Sequence, residues 1–108
     1  MAGEMWAKII GIVLILVGIL GFFMGGSVFG FEVNTLHNIV HIVTGAIFAW
    51  AGFSSSASAV NKWLGIIYVV IGIVGFFGIL DTLLALNTAD NILHIVIGGI
   101  SAWLGFKE

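Results

Sequence analysis

The chain states nearly the same pattern twice, and this repetition constrains its fold more than any other feature. Lys8, Gly11, Gly18, Gly21, Phe22 and Phe23 recur as Lys62, Gly65, Gly72, Gly75, Phe76 and Phe77, at an offset of 54. Asn34, Thr35, Asn38, His41, Gly45, Ala49, Trp50, Gly52 and Phe53 recur as Asn87, Thr88, Asn91, His94, Gly98, Ala102, Trp103, Gly105 and Phe106, at an offset of 53. The change of offset marks one residue lost in a connection. Doubling of this kind predicts two like units about a pseudo-two-fold axis, whose shared residues face one another or do the same job twice.

Lipid is the solvent such a chain requires. Of its 108 residues 61% are hydrophobic and 7% charged, against about 25% charged in a soluble domain. Three lysines and five acids are too few to clothe that apolar surface in water. A spanning helix needs about 20 mostly apolar residues, and four such spans fit, roughly 5–25, 35–53, 60–80 and 89–106. The expected fold is an all-α membrane protein, a left-handed four-transmembrane-helix bundle built from two parallel two-helix repeats. It forms a single membrane domain over 1–108, with repeat 1 at 5–53, a small-residue linker at 54–59 and repeat 2 at 60–106. The first apolar run follows Lys8 and superficially resembles a signal peptide. Its glycine spacing returns in the third helix, which argues for a span instead. Without cysteine there is no disulfide or thiolate site, and a formal charge of −2 leaves no footprint for nucleic acid.

Orientation follows from the lysines. Lys8, Lys62 and Lys107 fall on one face of a four-span chain, together with both termini. Trp6, Trp50, Trp63 and Trp103 sit at the same ends of their helices, as an interfacial belt does. Positive charge stays in the cytoplasm, so both ends are expected inside, with the chain in a prokaryotic cytoplasmic (inner) membrane. Glu32, Asp81 and Asp90 fall on the opposite face.

Lipid supplies no hydrophobic force between helices, so close backbone approach must hold them together. Gly11, Gly18 and Gly21 form a stripe on the first helix, and Gly65, Gly72 and Gly75 copy it on the third. Gly45 and Gly98 serve the second and fourth. Asn34-Thr35 and Asn87-Thr88 are expected as helix caps, their side chains accepting from free amides of the first turn. Asp90 stands three residues beyond Asn87, where its charge suits the positive helix end. His37 takes the matching place in the first copy.

One constellation has the residue types to carry chemistry. Asn38, His41 and Gly45 share a face of the second helix, and Asn91, His94 and Gly98 share the matching face of the fourth. Each histidine lies about 9 Å along its helix, near the outer edge of the hydrocarbon, and a polar group there points inward. In the simplest reading the imidazoles bond to neighbouring Asn or Thr, with Asn38 and Asn91 as supporting partners that hold the repeats in register. A second reading is a metal site. His37 and His41 stand at i, i+4, as do Asp90 and His94, and convergence of the outer helix ends would gather three imidazoles and a carboxylate. Such a set suits zinc or iron. Haem held by His41 and His94 needs the helices to splay. A third reading is proton-linked transport through titrating histidines. The chain has the size of the small multidrug transporters but lacks the acid they carry within the first helix.

The run Leu86-Asn87-Thr88-Ala89-Asp90-Asn91-Ile92-Leu93-His94-Ile95-Val96-Ile97-Gly98 resembles the signature of a family of small prokaryotic four-helix membrane proteins known as a domain of unknown function. In that family an Asn-x-x-Asp-Asn-x-x-His-x-x-x-Gly segment opens the last helix and a related Asn-x-x-His-x-x-x-Gly segment opens the second. Here the latter reads Asn38-Ile39-Val40-His41-Ile42-Val43-Thr44-Gly45. The resemblance implies an inner-membrane, four-span layout and no particular reaction.

The function expected first is that of a structural or accessory subunit, associating through glycine-rich helix faces with the bilayer around it and with copies of itself or a larger membrane complex. That role needs no cofactor. The alternatives are a metal- or haem-binding membrane protein, with zinc, iron or haem, and a small proton-linked transporter. No enzymatic activity is expected. There is no Ser or Cys nucleophile beside a base and no phosphate-cradling loop.

Overall fold

The structure, a computed structural model, describes residues 2–108. Helix α1 (Ala2–Phe23) leads into a hairpin of β1 (Ser27–Val28) and β2 (Phe31–Glu32). Helices α2 (Thr35–Gly52) and α3 (Ala57–Gly75) follow, then the single turn α4 (Asp81–Leu84) and helix α5 (Thr88–Lys107). The chain is thus mostly helical. Of the four long helices α1, α3 and α5 are long and apolar enough to cross a membrane, so the chain reads as a membrane protein. In α2 the polar residues His37, Asn38 and His41 dilute the apolar run.

Helix pairing follows the glycines. Helix α1 packs along α2, and α3 packs along α5. A Cβ on Gly11 would come within 2.6 Å of the Gly45 carbonyl and 2.8 Å of Ala49 Cα; on Gly65 it would come within 2.7 Å of the Gly98 carbonyl and 2.8 Å of Ala102 Cα. Gly18 would meet the Asn38 carbonyl, and Gly72 the Asn91 carbonyl, each at 2.7 Å. Each seat is closed by backbone, which cannot give way as a side chain does, so hydrogen is the only substituent that fits. The stripes expected to bind partners are used up inside the chain. Gly99, by contrast, faces open space.

The two pairs meet over a core of Ala7, Ile10, Leu14, Phe48, Ala57, Tyr68 and Ile97. Outside it the large apolar side chains are exposed on every long helix, among them Ile9, Val43, Val70 and Val96. That is the surface a lipid solvent calls for. All three lysines lie at one end, each over an aromatic ring: Lys8 over Phe53, Lys62 over Trp63 and Phe106, and Lys107 over Trp103. Trp50, Trp63 and Trp103 are exposed there. Trp6 departs from the expected belt, turning inward to donate its indole N–H to Ser101 Oγ at 2.7 Å.

Local chemistry moves several boundaries. Helix α3 stops at Gly75, short of 80, in a run of turns where Gly78 takes φ +74°. The linker between pairs shortens because α3 already begins at Ala57. The caps are Asn34 and Asn87, while Thr35 and Thr88 are the first helical residues rather than caps. The hairpin was not foreseen. Its two-residue turn places both Phe29 and Gly30 at positive φ, the conformation that matches the twist of a tight hairpin.

Candidate metal centre

At the end opposite the lysines, each asparagine cap does two things. Asn34 Oδ1 accepts from the His37 amide at 2.8 Å, while Asn34 Nδ2 donates to the Leu83 carbonyl at 2.9 Å. Asn87 Oδ1 accepts from the Asp90 amide at 2.9 Å, while Asn87 Nδ2 donates to the Gly30 carbonyl at 3.0 Å. Each cap therefore ties down the connection belonging to the other helix pair. This brings the first turns of α2 and α5 into one rim.

Within that rim the rings of His37, His41 and His94 converge. Their centroids are 4.3 Å apart for His37–His41, 5.6 Å for His37–His94 and 6.0 Å for His41–His94. All three are buried, and one ligand atom from each lies within 4.8 Å of the others. Among the described residues no group bonds to His41 Nδ1 or His94 Nδ1, and the only protein partner of the His37 ring is the Leu84 backbone carbonyl. The three rings border a cavity of about 10 Å³ lined also by Val40, Tyr68, Ile71 and Leu84, which is room for a single water-sized guest. Tyr68 supports the rim. Its ring is 5.5 Å from that of His94, and its hydroxyl pairs with Thr44 Oγ1 at 2.6 Å, while Thr44 Oγ1 in turn donates to the Val40 carbonyl.

The asparagines expected to partner the histidines do something else. Asn38 Oδ1 presses against Gly21 and Asn91 Oδ1 against Gly75, so each fills a glycine seat on its own partner helix, and neither oxygen has a hydrogen-bond donor. Asp90 also leaves the expected ligand set. Its Oδ2 accepts from the Asn87 amide at 2.9 Å and completes a capping box, which turns the carboxylate back toward its own helix start. The converged set is three imidazoles, with Asp90 beside them on the wall of a larger cavity that His41 and His94 also line.

The set fits a divalent transition metal. Imidazole suits zinc, copper and iron, and three histidines with an open position are a recurrent zinc arrangement. Nitrogens bound at about 2.0–2.1 Å to a tetrahedral ion stand about 3.4 Å apart, so closing on one asks each ring to shift by less than about 1 Å. The energetics point the same way. Leaving a buried polar atom unpaired costs about 1–3 kcal/mol. Over three nitrogens, one from each ring, this is a sizeable share of the whole stability of a small domain, about 5–15 kcal/mol. Haem does not fit, because the space between the rings has no room for a macrocycle. Tyr68 and Leu84, both in the cavity wall, were missed from sequence. Only the position of Tyr68 on the glycine-bearing face of α3, three residues after Gly65, hinted at the former.

No curated protein and no solved structure gives a significant match to this chain. Residues 4–107 match the family model described as a domain of unknown function, DUF4383; the chain belongs to that family.

Proposed function

We propose that this chain is a four-span protein of the prokaryotic inner membrane, termini inside, that binds one divalent transition-metal ion, zinc foremost, through His37, His41 and His94. It consists of two parallel helix-pair repeats, α1–α2 and α3–α5, with the metal at the outer rim where they meet. The observation that carries this reading is the convergence of three buried imidazoles, each with a nitrogen free to bind an ion, on a cavity of about 10 Å³. The matching glycine seats and the reciprocal caps support the repeat arrangement. An accessory role resting on free glycine faces loses its basis, since those faces are engaged within the chain. Transport is less well supported, because the histidines form a cluster rather than a path.

Elemental analysis of protein purified without a histidine tag tests this. About one metal ion per chain is expected, lost in a variant lacking His37 and His94. Metal-free protein that takes up no zinc on reconstitution contradicts the reading.

A further inference from the structure

Beside the histidine rim lies a second, larger cavity of about 240 Å³. Its walls come from α1 (Val13, Leu14, Val17), from the hairpin and its flank (Phe29, Phe31) and from α5 (Ile97). Its polar groups are His41, His94 and Asp90. His41 and His94 therefore stand in the walls of both cavities. One of these spaces suits an ion and the other an apolar body.

Charge then selects the head group of a ligand. A divalent ion held by three neutral imidazoles keeps two positive charges in a place where low dielectric penalises net charge. Asp90 is buried and offsets one. Glu32 and Asp81, the other acids at this end, are exposed, where their charges are screened. One further negative charge would make the site neutral, and an ammonium head would worsen the balance. The cavity's size, just below that of ordinary small-molecule pockets of about 300–1,000 Å³, admits one medium alkyl chain and excludes a two-chain lipid. We infer that the cavity between α1, the hairpin and α5 binds a medium-chain carboxylate, its tail among Val17, Phe31 and Ile97 and its head on the metal beside His41 and His94. This rests on the metal reading above.

The test uses the full-length protein in phosphatidylcholine nanodiscs, loaded with cobalt(II) as a spectroscopic stand-in for zinc. Octanoate should shift the cobalt bands at a concentration about tenfold or more below that needed with acetate, since each buried methylene adds to binding, and octylamine should not shift them. Val17→Trp fills the tail space and should erase the advantage of octanoate while leaving the cobalt bands and the acetate response. Phe31→Ala enlarges the space and should move the preference toward decanoate. Cobalt bands that respond equally to octanoate and acetate in the unmodified chain would overturn this inference and leave the metal site standing. Absence of cobalt bands would overturn both.

Discussion

Three places beyond the asparagine cap, the α1–α2 half carries His37 and the α3–α5 half carries Asp90. Around these positions the halves are close to interchangeable. Gly11 seats against Gly45 and Ala49 as Gly65 seats against Gly98 and Ala102, and Asn38 fills Gly21 as Asn91 fills Gly75. Asn34 reaches across to Leu83 and Asn87 reaches across to Gly30. At the divergent position Asp90 closes a capping box, whereas the His37 ring leaves the cap to Asn34 alone and joins His41 and His94. The comparison teaches that packing tolerates a change at this position, and that the change separates a helix-start residue from a member of the histidine cluster.

The sharpest way to break that comparison is to erase it. His37→Asp makes the halves alike. The new carboxylate should accept from the Asn34 amide as Asp90 accepts from Asn87, so stability should stay within about 1 kcal/mol of the parent or rise. Zinc affinity should fall about a hundredfold or more, about 2.7 kcal/mol, in a competition titration against a chelator. Retention of affinity both here and in His37→Ala, which offers no ligand atom, would show that His37 is no ligand.

The glycine seats should behave as equals. Gly11→Ala and Gly65→Ala each force a Cβ onto backbone and should each cost about 2 kcal/mol, measured by denaturant titration in mixed micelles. Gly99→Ala, facing open space, should be neutral or stabilising by helix propensity. A large difference between the first two would mean that the helix pairs are not held in the same way.

The caps come next in size. Asn34→Ala and Asn87→Ala each remove a cap and a tie to the opposite connection, and about 1 kcal/mol each is expected. Amide hydrogen exchange adds a sharper readout, because Asn34→Ala should loosen α4 and Asn87→Ala should loosen the hairpin. Loosening of the variant's own connection instead would contradict the crossed arrangement. Smallest of all is Tyr68→Phe, which removes the hydroxyl paired with Thr44 and should cost about 0.6 kcal/mol. A loss several times larger would give Tyr68 a part at the rim that its one bond does not explain.

Much of the scaffold was legible because its causes are local. Apolar runs, glycine spacing and asparagine caps act within a turn or between neighbouring helices, and they predict α1, α2 and α5 to within a few residues. The end of α3 was not, because Phe76 and Phe77 continue an apolar run that Gly75 and Gly78 interrupt in the structure. The hairpin was hidden for the opposite reason. Phe29-Gly30 lacks the Asn-Gly or Asp-Gly pair that usually announces such a turn. At the rim, helical spacing put His37 and His41 on one face, but no spacing within a helix reveals which groups on another helix meet them. Asp90 was expected in two roles, at the helix start and in a ligand set, and the structure shows it in the first. The amide of Asn87 lies three residues away, and the nearest imidazole on another helix lies across a helix interface.

X-ray absorption at the zinc edge of the untagged, zinc-loaded protein tests the metal centre most directly. The account predicts a first coordination sphere containing three imidazole nitrogens at about 2.0–2.1 Å, reduced to two by His94→Ala. A sphere with no imidazole scattering, or one unchanged by His94→Ala, would contradict it.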